Sequence, residues 1–154
     1  MAWRGLIDVH RRIVGDLDAQ LQQATGWSLV AFDVLLQLSH APGGRVRMYE
    51  MADGCAISRS GLTRLVARLE AAGLVVRRPG RTDPRQVFAC LTPAGRVQLG
   101  EMIEVHVEGI ESRFLSELTG AQTSQLAAIW RRLLSSDPSA RRNLEQAIRL
   151  PSST

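Results

Sequence analysis

Arg59, Ser60, Thr63, Arg64 and Arg68 fall largely on one side of a predicted helix, and Leu62, Leu65, Val66 and Leu69 fall on the other. A guanidinium fork grips phosphate oxygens, or the O6 and N7 edge of guanine, through paired hydrogen bonds. Short hydroxyls bond phosphate or pack on a thymine methyl. Ser58, just ahead, is an N-cap by type, and the free N–H groups of a helix start suit an anion. Downstream come Val75-Val76-Arg77-Arg78, a turn-rich PGRTDPR segment, and a second β-prone run over residues 86–91. A basic hairpin is expected there, carrying Arg77, Arg78, Arg81, Asp83 and Arg85. These residue types read and hold a polyanion; they do not make or break bonds.

The elements that position them follow from periodicity and punctuation. Residues 3–24 form an amphipathic helix stopped at Gly26, and Ser28 caps a second helix over 29–40. Ala41-Pro42-Gly43-Gly44 ends it, and Arg45-Val46-Arg47 is a short strand able to pair at the hairpin base. A short helix over 49–53 precedes the arginine-bearing one, which runs from its Ser58 cap to about residue 72 and stops at Gly73. Thr92 and Pro93 then open a long helix to about residue 118. Thr123 is expected to cap a helix over 124–134, and Asp137-Pro138 to start a last one over 137–149 before a frayed tail. The fold class is mainly α with a small β-hairpin: a winged helix-turn-helix over 45–92, flanked by helical regions 1–40 and 93–150, in a single domain spanning 1–154. The apolar faces of the end helices need a partner, and the economical one is a second copy of the chain.

Charge follows the same map. Residues 45–96 carry ten arginines against four acids, whereas the rest of the chain carries nine against eleven. A basic patch on a mildly acidic body is the electrostatic footprint of a nucleic-acid binder, with double-stranded DNA the expected partner. All 19 basic residues are Arg. Two cysteines, Cys55 and Cys90, are too few for a disulfide framework and fit a reducing compartment. No apolar stretch approaches the roughly 20 residues of a membrane span, and no signal-peptide core precedes the first helix, so a cytoplasmic protein without a membrane partner is expected.

No nucleophile elbow, phosphate-binding glycine loop or paired-carboxylate signature is present, which argues against an enzyme. His10, His40 and His106 are scattered, and Glu104, His106 and Glu108 alternate around a helix, so no metal or other cofactor is expected. Two other readings compete with a sequence-specific regulator. One is redox sensing through Cys55 or Cys90, where neighbouring arginines favour a thiolate. The other is a winged helix used for protein contact, although such modules usually lose the charge that Arg59 and Arg64 supply.

The order of elements, the string SRSGLTRLVARLEAAGLVVRR and the closing DPRQVFACLTPAGR resemble the multiple-antibiotic-resistance regulator (MarR) family over nearly the whole chain. The resemblance implies a homodimer, with one recognition helix per subunit in a major groove and each wing on the adjacent backbone or minor groove. It assigns major-groove contacts to Ser58, Arg59, Ser60, Thr63 and Arg64, with Arg68 divided between DNA and its own module. Asp83 and Arg85 match the family's Asp-x-Arg wing motif, in which the aspartate orients the arginine by an ion pair; Gln86 stands where some members carry a further basic residue. Arg77, Arg78 and Arg81 are implied phosphate contacts. The family also commonly binds small aromatic or lipophilic effectors in a crevice between its dimer helices and DNA lobe. Trp3, His10, Ile13, Trp27, Phe32, Leu36, His40 and Tyr49 are the corresponding candidates, each of which also suits plain core packing. The whole reading is a ligand-responsive repressor acting on a short inverted repeat. Relatives that sense peroxide use a cysteine near the first helix, where this chain has none.

Overall fold

The computed structural model describes residues 1–54, 57–80, 83 and 85–135. The expected helix over 137–149, the frayed tail, Cys55, Arg81 and Pro84 lie outside the described residues. The chain divides into two compact units, residues 1–110 and 111–154.

In the first unit, α1 (Ala2–Thr25) ends where Gly26 turns left-handed at φ 78°, a conformation that costs glycine little. Burial on α1 begins only at Leu17 and Leu21. Asp18 on α1 accepts the Leu29 N–H at 2.7 Å, and Ser28 accepts the Ala31 N–H at 3.2 Å. The orphan donors at the start of α2 (Leu29–His40) are thus met by two different side chains. A 3-10 turn leads into β1 (Arg45–Arg47), then α3 (Met48–Gly54) and α4 (Arg59–Ala71). Beyond Gly73 come β2 (Val75–Pro79) and β3 (Val87–Leu91), which make a three-stranded antiparallel sheet in the order β1-β3-β2. Register places Arg45 opposite Cys90 and Arg47 opposite Phe88 on one side of β3; Val76 and Arg78 face the same two residues on the other.

The core joins Leu21, Phe32, Leu35, Leu38, Met51, Leu62, Val66, Leu69, Ala89, Leu99 and Met102. Alternation along β3 turns Ala89 inward, and Phe88 and Cys90 toward the opposite, outer face of the sheet. Thr92 accepts the Gly95 N–H at 2.9 Å and donates to the Gly73 carbonyl at 2.7 Å, so one hydroxyl both caps α5 (Pro93–Arg113) and ties it to the end of α4. A Cβ at position 95 would run into the Leu74 carbonyl, so glycine there lets α5 lie against the start of β2.

Two sequence expectations are corrected beyond that point. The long helix stops at Arg113, not near residue 118; Phe114 leaves helical geometry and a 3-10 turn spans Leu115–Glu117. The N-cap of α6 (Gly120–Leu134) is Thr119, not Thr123. Thr119 Oγ1 accepts the Gln122 N–H at 3.3 Å while Gln122 Oε1 accepts the Thr119 N–H at 2.8 Å, a reciprocal capping box. Thr123 instead donates to the Thr119 carbonyl at 3.2 Å from inside the first turns. In this second unit α6 has no buried residue, and Ile129 and Leu133 are exposed.

Candidate nucleic-acid interface

Helix α4 divides as its sequence pattern requires. Leu62, Leu65, Val66 and Leu69 are buried, and Ser58, Arg59, Ser60, Thr63, Arg64 and Arg68 are exposed. Ser58 Oγ accepts the Gly61 N–H at 3.1 Å and lies 3.3 Å from Ser60 Oγ, so the two hydroxyls sit together at the helix start. Gly61 has a packing reason: a Cβ there would meet Ile57 at 2.9 Å. Thr63 donates its hydroxyl proton to the Arg59 carbonyl at 2.9 Å, which leaves its oxygen as an outward acceptor beside a methyl group. Arg59 and Arg64 have no acidic partner among the described residues.

Arg68 is different. Its guanidinium lies 5.7 Å from the centroid of Trp27, the residue that leads into α2. That contact joins the arginine to the body of its own lobe by a cation–π interaction.

On the wing, Arg77 faces inward to Glu70 of α4. Glu70 Oε1 accepts the Arg77 main-chain N–H at 2.9 Å, and Oε2 accepts from Nε at 2.7 Å and forms an ion pair with Nη2 at 2.6 Å. The Arg77 hydrogen bonds hold the Glu70 carboxyl below the usual carboxylate range. Arg78 and Arg85 are exposed, without an acidic partner among the described residues. The ion pair expected between Asp83 and Arg85 is replaced by a local turn: Asp83 Oδ1 accepts the Arg85 main-chain N–H at 3.0 Å, and Oδ2 lies 3.5 Å from Gln86 Nε2. A short aspartate reaches the N–H two residues on more readily than a long side chain can fold back. Among the described residues no carboxylate pairs with the Arg85 guanidinium.

The eight effector candidates fall on α1, on α2 and the residue leading into it, and on α3. Trp3, 74% accessible, and His10 lie on the exposed first half of α1, with Ile13 half-buried beyond them. Trp27 lies against Arg68. Tyr49 is exposed on α3, where its hydroxyl donates to Glu50 at 3.0 Å and Arg47 approaches both. Phe32 is buried and stacks on His106 of α5 with ring centroids 4.6 Å apart. Leu36 and His40 are half-buried on α2. His40 Nε2 and His106 Nδ1 are buried without a hydrogen-bond partner, and burial lowers the His106 pKa. Asp33, on the same helix as Phe32, keeps accessible surface, yet the burial of its carboxyl raises its pKa to about 6.

Three features of this region have no periodic signal in the sequence: the Glu70–Arg77 clamp, the Arg68–Trp27 contact and the Asp18 cap on α2. Each joins residues across a turn or between elements. Among the described residues no group of His, Cys, Asp and Glu is arranged to hold a metal ion, and no helix is long and apolar enough to cross a membrane.

Comparison with known proteins agrees with the geometry. The sequence profile of the MarR family matches residues 25–86. The HTH-type transcriptional regulator FarR of Neisseria gonorrhoeae is 35% identical over 74 residues, 46% of this chain and 51% of that regulator, so the chain matches about half the length of this curated relative. Sco3205, a MarR family transcriptional regulator from Streptomyces coelicolor solved in complex with DNA, is 34% identical, with 90% of each chain covered and a TM-score of 0.77. AbsC, another MarR family regulator from Streptomyces coelicolor, is 28% identical over 94% of this chain and 93% of its own, with a TM-score of 0.75. The family and fold are those of transcriptional regulators, not of enzymes. The chain belongs to the MarR family of transcriptional regulators.

Proposed function

We propose that this protein is a sequence-specific, double-stranded-DNA-binding repressor that acts as a homodimer on a short inverted repeat. The observation that carries the reading is the uncovered cationic face of α4, where Arg59 and Arg64 stand without acidic partners among the described residues beside Ser58, Ser60 and Thr63. Arg59 and Arg64 read guanine edges, and the clustered hydroxyls hold a phosphate at the helix start. Arg78 and Arg85 supply wing contacts to the backbone or minor groove. The DNA bound by the Streptomyces coelicolor relative at 34% identity supports the same partner here.

Dimerisation is supported by apolar surface that one chain leaves open: Trp3, Leu6, Ile7 and Val9 on α1, and Ile129 and Leu133 on α6. Two copies would set their recognition helices one DNA turn apart, roughly 34–36 Å. Ligand response is supported by the orphaned Nδ1 of His106, whose ring lies against Phe32, and by the orphaned Nε2 of His40; each is a buried polar handle. An effector acts only if it binds one spacing of the recognition helices better than another.

Selection of a site from random duplexes, followed by a gel shift with non-specific competitor and light scattering of the complex, tests the reading. A competitor-resistant shift with two chains per duplex is expected. Binding that competitor abolishes, or a single chain on the site, would reject it.

A further inference from the structure

The outer face of the sheet carries a cleft of about 550 Å³ lined by Arg45, Val76, Arg78, Pro79, Phe88 and Cys90. That volume lies in the range of small-molecule sites. Its construction follows from register. Arg45 on β1, opposite Cys90, and Arg78 on β2, opposite Phe88, flank the central strand diagonally, with backbones about 12 Å apart at ordinary strand spacing and rise. Between them the floor is apolar: Val76, Phe88 and the half-buried Cys90.

The charges around this floor are not equivalent. The Arg45 and Arg47 guanidiniums lie 5.3 and 5.8 Å from the Phe88 ring centroid, but Arg47 is answered by Glu50 at 3.2 Å. Arg45 and Arg78 have no carboxylate partner among the described residues. Two unanswered guanidiniums on either side of an apolar concavity repel each other and favour an anion between them.

We propose that this cleft binds a small dianion with a flat apolar body, one acidic group held by Arg45, the other by Arg78, and the body against Val76, Phe88 and Cys90. A single acidic group would satisfy one arginine and leave the other unanswered, so the dianion is favoured over the monoanion. The site belongs to the wing sheet and uses none of the effector candidates on α1 and α2. Its occupancy has a consequence that rests on the proposed DNA reading: a bound dianion withdraws Arg78 from phosphate.

Cys90 on the floor reports occupancy without any DNA. In a Cys55→Ser background it is the sole thiol, because the chain has two cysteines. The probe is naphthalene-2,6-dicarboxylate, and the readout is the rate at which neutral 4,4′-dithiodipyridine modifies Cys90. At ten times its dissociation constant the dianion leaves about a tenth of the clefts open and slows the reaction about tenfold. Arg45→Gln or Arg78→Gln raises the half-protecting concentration about tenfold, the loss expected for one charge-assisted pair. Protection by 2-naphthoate at the same concentrations as the dianion, unchanged protection in both arginine variants, or no protection at all would overturn the proposal. Peptide mass spectrometry of the Cys90 label on the wild-type chain gives the same rates should Cys55→Ser not fold.

Discussion

Glu70, in the last turn of α4, clasps both the guanidinium and the main-chain N–H of Arg77, and so joins the recognition helix to the first strand of the wing. This one carboxylate ties together the two elements proposed to approach DNA. It also separates the wing arginines by role. Arg77→Ala is expected to leave the dependence of affinity on salt unchanged, whereas Arg78→Ala and Arg85→Ala each reduce the slope by about one. Glu70→Ala should free the Arg77 guanidinium for phosphate and leave the slope unchanged or steeper, and that gain should vanish in the double variant. Titration of DNA binding against salt checks this, and a slope reduced in Arg77→Ala would return that residue to the phosphate contacts.

Arg68 follows similar logic on the other side of α4. With its guanidinium over Trp27, Arg68→Ala should lower stability by about 0.5–1 kcal/mol, the usual worth of an exposed cation–π contact, and leave base preference unaltered. Thermal unfolding with a parallel site selection measures both. A changed preferred site with unchanged stability would place Arg68 on the bases.

Gly95→Ala tests the docking of α5. The added methyl meets the Leu74 carbonyl, so α5 or β2 must shift, at a cost of about 1–3 kcal/mol. Gly100→Ala, where a Cβ meets nothing within 4 Å, should be neutral or slightly stabilising in the same helix. Equal effects of the two in denaturant unfolding would contradict the packing described.

His106 gives the fold a pH dependence of defined sign. Burial lowers its pKa below the ordinary 6.5, so the folded chain keeps the imidazole neutral where the unfolded chain takes up a proton. Its contribution to stability is full above pH 6.5, is lost as pH falls through the folded pKa, and is missing in His106→Gln. Asp33, raised to about 6, acts oppositely: stability falls as pH rises from 3.8 toward 6, although its accessible surface keeps this share small. Proton NMR of His106 should show a midpoint below 6.5, and a midpoint above it would reverse the assignment.

The parts of the molecule legible in the sequence are those set by periodicity and caps. Leu62, Leu65, Val66 and Leu69 repeat at helical spacing, and their burial left the arginine face outward; Ser28, Ser58, Thr92 and Gly73 each mark a boundary found near its expected place. Thr119 was missed because residue type alone made Thr123 as good a cap; the glutamine three residues on, which closes the capping box, decides for Thr119. The clamp of Glu70 on Arg77 spans a chain reversal, and no local pattern encodes which of three neighbouring arginines a carboxylate will choose. Nor does the alternation of β3 say that Arg45 would stand opposite Cys90 and Arg78 opposite Phe88, since that depends on the register of both neighbouring strands. The effector candidates rest on the family resemblance and not on a local pattern, and burial draws Phe32 inward while Trp3 and Tyr49 stay exposed.

The central claim is that the outward face of α4 reads bases. It is tested most directly by measuring the affinity of wild-type and Arg64→Ala protein for the selected site and for a random duplex at one salt concentration. The account predicts a loss of about 1–3 kcal/mol on the selected site and little change on the random one. Equal losses on both duplexes would contradict it and reduce Arg64 to a phosphate contact.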